Sequence, residues 1–160
     1  MGLRRSRGFT MVELIVIMII VGILAVSAMP SMSGSMAFRS AAFRDEAIAA
    51  LRYAQKTATS HRRVVCATLT QKSLALSIDN SSPKDGLCDV ALPVPGVAAG
   101  QLSAQQDGFG SALSPAVMFF QPDGRMTSDA AGGTVANFDN TVDGGSVVVR
   151  GATGYVGDGS

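Results

Sequence analysis

The sequence predicts an α+β fold: a long N-terminal helix, apolar in its first half and amphipathic in its second, packed on antiparallel β-sheet. Three observations lead there. From Phe9 to Met29 there is no Lys, Arg or Asp and a single acid, Glu13. From Ala37 to Arg63 apolar residues recur by threes, fours and sevens. Beyond Arg63 the pattern becomes one of short β-prone runs parted by turn residues.

The apolar run comes first. At 1.5 Å per residue a helix from Phe9 to Met29 reaches roughly 30 Å, the thickness of a bilayer hydrocarbon core. Arg4, Arg5 and Arg7 stand just ahead of it and would orient it. Two plain explanations suit such a run. One is a secretory signal peptide, with Val26-Ser27-Ala28 as its small-residue cleavage site. The other is a simple single-pass anchor. Both leave Glu13 unexplained, because a carboxylate at membrane depth costs about 2.5 to 3.5 kcal/mol and needs a partner. Cleavage between Gly8 and Phe9 would create that partner, an α-amine close ahead of Glu13. With a pKa of about 7.7 to 8.0 the amine is cationic at neutral pH and can pair with the carboxylate, within a chain or between staggered neighbours.

Pro30 should bend the helix, since proline removes a donor and clashes with the preceding turn. Ser31 to Met36 would loosen it, and Gly22 is a second weak point. Helical spacing resumes with Phe38, Ala41, Ile48, Leu51, Ala54 and Ala58, while Arg39, Arg44, Asp45, Arg52 and Lys56 take much of the rest. One face of this half, residues 31–63, should pack on a sheet. His61, Arg62 and Arg63 close the helix, where the dipole favours cations. The sharper alternative makes these three a patch touching DNA phosphates, although no aromatic residues interleave them.

Val64–Thr70 and Ser73–Asp79 should form a hairpin across Gln71-Lys72. Asn80–Gly86 reads as loop and Pro93–Gly110 as irregular and exposed. Ala116–Gln121 is a strand followed by a Pro122-Asp123-Gly124 turn. Gly133–Phe138 and Ser146–Arg150 should be two more strands, joined by a loop holding Asp143-Gly144-Gly145, and Thr153–Val156 a last one before a frayed tail.

Chemistry is sparse. The chain of 160 residues has a formal net charge of +1, which argues against a generic polyanion binder, and one histidine, His61. There is no spaced metal box, no nucleophile elbow and no glycine-rich loop ending in Lys-Ser/Thr, so the expectation is a protein that is not an enzyme and uses no cofactor. Asp123, Asp129, Asp139 and Asp143 lie among glycines and read as turn formers rather than calcium ligands. Zinc would want four ligands, which His61 and two cysteines do not supply. Cys66 and Cys88 are the only cysteines. If the domain lies outside the cytoplasmic membrane they can be oxidised to a bridge, stabilising the fold by roughly 3 kcal/mol; otherwise they are two unrelated thiols.

Arg7-Gly8-Phe9-Thr10-Met11-Val12-Glu13-Leu14 resembles the class III leader junction of type IV pilins and type II secretion pseudopilins. The resemblance implies a leader, residues 1–8, cut after Gly8 by a prepilin peptidase, and N-methylation of Phe9. It also implies a transmembrane and assembly helix at 9–30 and a periplasmic β-rich domain at 64–160, with Glu13 meeting the N-terminus of an adjacent subunit. The expected partners are other pilins or pseudopilins, the peptidase and an inner-membrane assembly platform. Arg44, Leu51, Arg52, Ala54 and Gln55, then Val65-Cys66, then Phe119-Phe120-Gln121-Pro122-Asp123-Gly124-Arg125, are similar to the H-type pseudopilin and FimT/FimU minor-pilin branch. Thr153-Gly154-Tyr155-Val156 is similar to the ending of the C-type minor pilin of mannose-sensitive haemagglutinin pili. The function expected is therefore a minor pilin or pseudopilin that helps build a filament. The alternative is an anchored binding module for DNA or a secreted cargo. A signal peptide would instead predict a mature start at Met29.

Overall fold

The computed structural model describes residues 9–27, 32–82, 85–98, 100–104, 108–142 and 145–159, with the backbone alone at 26–27 and 32–40. It divides into two compact units, Met1–Ser35 and Met36–Ser160. The fold is α+β, two helices followed by antiparallel sheets.

In the first unit, helix α1 spans Met11–Ser27 and carries Glu13 in its first turn. Apolar side chains are exposed on every side of it, including Leu14, Ile15, Val16 and Ile17 over one full turn. A helix apolar all round needs a nonaqueous neighbour on all sides. No helix among the described residues is long and apolar enough to cross a membrane. The expected bend at Pro30 lies outside the described residues.

Helix α2 spans Met32–His61, so from Met32 onward the stretch expected to loosen is helical. Its spacing buries Ile48, Leu51, Ala54 and Ala58 as expected, and adds Phe43, Ala47 and Ala50. Ala41 is half-buried, and the side chain of Phe38 lies outside the described residues. The helix stops because Arg62 turns left-handed, at φ 53°. Arg63 N–H then donates back to the Ala58 carbonyl at 3.1 Å, the bond of a Schellman cap.

Among the described residues nine strands follow: β1 Val65–Leu69, β2 Ser73–Ile78, β3 Val90–Leu92, β4 Leu102–Ser103, β5 Val117–Phe120, β6 Met126–Thr127, β7 Phe138–Val142, β8 Gly145–Arg150 and β9 Tyr155–Asp158. The first sheet runs β3-β2-β1-β5-β6, with β4 also pairing β2; the second runs β7-β8-β9. The β1–β2 hairpin pairs Val65 with Ile78 and Leu69 with Leu74, as the Gln71-Lys72 connection requires. Alternate residues point inward, so Val65, Ala67, Leu69, Leu74, Leu76, Met118 and Phe120 of the first sheet join the inner face of α2 in one core. Phe138, Val142, Val147, Val149 and Val156 of the second sheet enter the same core.

Three expectations are corrected. Gly133–Phe138 is not a strand; only Val135 makes an isolated bridge, to Thr127, and the strand is Phe138–Val142. Asp129 is the reason, because its carboxylate accepts the N–H groups of Gly133 and Thr134 and curls 129–134 into a loop. Pro93–Gly110 is not simply exposed: Val94, Leu102 and Phe109 are buried, and the Phe109 ring meets Phe43 edge-on at 5.3 Å. The last strand starts at Tyr155, not Thr153, since 151–154 form a turn in which Gly154 N–H donates to the Arg150 carbonyl. It then continues to Asp158, and Ser146 Oγ donates to the Gly159 carbonyl, so this end is held rather than frayed. Asp143 and Gly144 lie outside the described residues.

Candidate functional site

The N-terminal residues come first. Gly8 lies outside the described residues, and Phe9 is exposed beside Thr10 immediately before α1. Thr10 caps the helix: its Oγ1 accepts the Glu13 N–H at 3.3 Å, and its carbonyl accepts the Leu14 N–H at 3.2 Å. Thr10 and Glu13 thus stand at the spacing of a capping box, a signal present in the sequence as Thr-x-x-Glu that the reading above missed. The first-turn position also places the carboxylate where the helix dipole favours an anion. Glu13 therefore helps to start the helix, and its side chain remains exposed for a further partner.

Cys66 and Cys88 are joined, with Cα atoms 6.0 Å apart and 22 positions between them in sequence. The bridge ties β1 to the segment two positions ahead of β3, across the intervening β2. Inside the bridged loop, buried Asp79 accepts N–H groups from Ser81 at 2.9 Å and Gly86 at 3.0 Å and the Ser81 hydroxyl. These bonds, led by that hydroxyl and helped by the Arg63 charge, hold the Asp79 carboxyl below the usual carboxylate range. The disulfide and this carboxylate fix the same loop from two ends.

His61 and Arg62 are exposed, whereas Arg63 is half-buried and its guanidinium donates to the Ser81 carbonyl. The three candidate DNA contacts are therefore not equivalent, because Arg63 is committed to the loop. Asp123 and Asp129 serve as turn formers. Asp123 accepts the Arg125 N–H at 3.0 Å and its Nε at 2.7 Å, and Asp129 holds its loop as described. Both carboxyls are shifted down, by the Arg125 N–H and by the Gly133 N–H first. Among the described residues no group of His, Cys, Asp and Glu is placed to hold a metal ion.

Among the described residues four polar side chains join the elements, and three of them, Arg52, Gln55 and Gln121, belong to the family-like pattern. Gln55 Nε2 donates to the carbonyls of Gly124 at 3.2 Å and Thr153 at 3.1 Å, tying α2 to the turns before β6 and β9. Arg52 Nε donates to the Val156 carbonyl on β9 at 3.0 Å. Gln121 is buried and donates to Thr127 Oγ1 at 2.8 Å. Asn140, buried in β7, accepts the Gly110 N–H and donates to the Ala112 carbonyl. The sequence placed Arg52, Gln55 and Gln121 in a family-like pattern without indicating these partners, and those of Arg52 and Gln55 lie far along the chain.

Residues 3–29 match the prokaryotic N-terminal methylation motif, spanning the leader junction and the whole of α1. The chain thus carries a prepilin-type N-terminal motif ahead of an α+β fold, which is consistent with a type IV pilin-like protein. No curated protein and no solved structure gives a significant match.

Proposed function

We propose that this chain is a minor pilin or pseudopilin, a structural subunit rather than an enzyme. One observation carries the reading: the methylation motif stands on a helix whose apolar side chains are exposed on every side and whose one acid lies in the first turn. Prepilin peptidase cuts between Gly8 and Phe9, and the new amine of Phe9 is methylated. Residues 9–30 then hold the subunit in the inner membrane, with 64–160 in the periplasm, until an inner-membrane assembly platform adds it to a filament.

The physical logic is one of charge. The mature chain would start one residue ahead of the Thr10 cap, so a cation sits at the positive end of a helix dipole. In a low-dielectric layer that arrangement needs an anion, and Glu13 of an adjacent subunit supplies one as copies stack. The pairing sets the axial register. Within the class, the patterns at Arg44–Gln55, Val65-Cys66 and Phe119–Arg125 support the H-type pseudopilin and FimT/FimU branch.

N-terminal mass spectrometry of the membrane-bound protein tests the first step: methylated Phe9 is expected, and a start at Met29 refutes the reading. Glu13→Val tests the second. It should insert normally and fail to enter filaments; unchanged incorporation removes the register role.

A further inference from the structure

Where glycine follows aspartate, the glycine nitrogen can attack the aspartate side chain, because no Cβ on the glycine hinders the approach. The described residues hold three such pairs complete, Asp85-Gly86, Asp123-Gly124 and Asp158-Gly159. In two of them both reacting groups are engaged. Gly86 N–H donates to Asp79 Oδ2 at 3.0 Å, while Asp85 Oδ1 accepts the Leu87 N–H at 2.9 Å. Gly124 N–H donates to the Gln121 carbonyl at 2.9 Å, while the Asp123 carboxylate is held on the N–H and Nε of Arg125. The third pair, at the end of β9, differs. Gly159 N–H reaches the Ser146 carbonyl only at 3.4 Å, and among the described residues the Asp158 carboxylate accepts no hydrogen bond. Arg44 Nε lies 3.9 Å from that carboxylate, and the Asp158 side chain is 59% exposed. The firm restraint is Ser146 Oγ, which donates to the Gly159 carbonyl at 2.7 Å.

We propose that Asp158-Gly159 is a self-modifying site, at which the folded chain rearranges to isoaspartate without enzyme or cofactor. Gly159 N attacks Asp158 Cγ and closes a five-membered succinimide, and the amide proton leaves with the carboxyl hydroxyl as water. A water then adds to the ring at the Asp158 main-chain carbonyl carbon and breaks its bond to the Gly159 nitrogen, so the chain runs on through Cβ and Cγ. Mass and charge are unchanged, but the main chain is one atom longer. The carboxylate is displaced from Arg44 and Gly159 from Ser146, so the end of β9 comes away from β8. Each hydrogen bond that must open before the attack slows it by roughly two- to tenfold. Asp85-Gly86 and Asp123-Gly124 must open several short ones, so Asp158 should convert at least about fivefold faster than either. The site is independent of the filament function, since it needs only the folded chain.

The test keeps the full chain, solubilised in detergent, warm at neutral pH in water labelled with heavy oxygen, then digests it and weighs the fragments. A single heavy oxygen is expected in the fragment holding Asp158, with isoaspartate there confirmed by an isoaspartyl-specific methyltransferase. The fragments holding Asp85 and Asp123 should take up at least about fivefold less. Ser146→Ala removes the firm restraint and should speed the conversion. Asp158→Glu, whose longer side chain would have to close a six-membered ring, should abolish it. In urea, where the folded restraints are gone, the three sites should convert at similar rates. Absence of label at Asp158, equal label at Asp85 or Asp123 in the folded chain, or a preference for Asp158 that survives in urea overturns the proposal.

Discussion

Gly151→Ala is the most telling substitution in the β-domain. Gly151 follows β8 at the point where the edge of the first sheet meets the second. Its N–H donates to Asn137 Oδ1 at 2.9 Å, and its carbonyl accepts the Met126 N–H at 2.8 Å. Beside it, Ala136 N–H donates to the Met126 carbonyl at 3.3 Å. A methyl group here would collide with the Ala136 carbonyl oxygen, with Met126 O at 2.9 Å on another side. These are backbone atoms, so no rotamer relieves the clash. The segments must part toward ordinary contact at about 3.5 Å or more, straining or breaking the three hydrogen bonds. At about 0.5 to 1.5 kcal/mol each, their loss totals roughly 1.5 to 4.5 kcal/mol. The less flexible unfolded chain returns about 0.4 to 1 kcal/mol, leaving a net destabilisation of about 0.5 to 4 kcal/mol. Gly96→Ala is the control. Nothing lies within 4 Å of its added methyl group, so only the φ of +82° opposes it, at about 1 kcal/mol. Urea unfolding of the detergent-solubilised chain, followed by circular dichroism, measures both. If Gly151→Ala stays within about 0.5 kcal/mol of the parent, the close approach of the two sheets at this point is wrong.

Replacing both cysteines, Cys66→Ala with Cys88→Ala, should cost about 3 kcal/mol through the freed loop, read as a lower unfolding midpoint that a reductant reproduces in the parent. Arg62→Gly should stabilise the end of α2 by about 0.5 to 1 kcal/mol, because glycine takes the left-handed cap without a Cβ penalty; a lower midpoint would mean that the lost arginine contacts outweigh the relief. Asp79 is held below its ordinary value of 3.8, so the stability it contributes is whole well above that pH. It is lost as pH falls through 3.8 toward the lowered folded value. Asp79→Asn should therefore be less stable than the parent at neutral pH, with the difference shrinking in acid. A gap that stayed constant down to pH 2 would exclude the linkage.

Local patterning made much of this chain legible. The leader junction, the acid in the first turn of α1, the buried stripe of α2, the β1–β2 hairpin and the Pro122–Gly124 turn all depend on neighbours within a few residues. Their chemistry is written in spacing alone. The strand at Phe138–Val142 was hidden because its inward set is Phe138, Asn140 and Val142, and a buried asparagine breaks the apolar alternation that marks a strand. Asn140 is satisfied only by Gly110 and Ala112, from a loop about thirty positions earlier. In the same way Val94, Leu102 and Phe109 looked like surface in a stretch rich in proline and glycine, and become core once Phe43 is brought against Phe109.

The sequence by itself determined that this chain has a prepilin-type start, a run of residues suited to a nonaqueous neighbour, and a helix followed by strands. Those properties follow from hydrophobic periodicity and from residue types at short range. Tertiary structure alone decided which cations are committed, with Arg63 turned to the Ser81 carbonyl and Arg52 to Val156 while the side chain of Lys56 stays exposed. It also decided that Gln55 clasps two turns distant in the chain. Partners separated by up to a hundred residues have no local signature, because the bond exists only after packing has brought its two ends together.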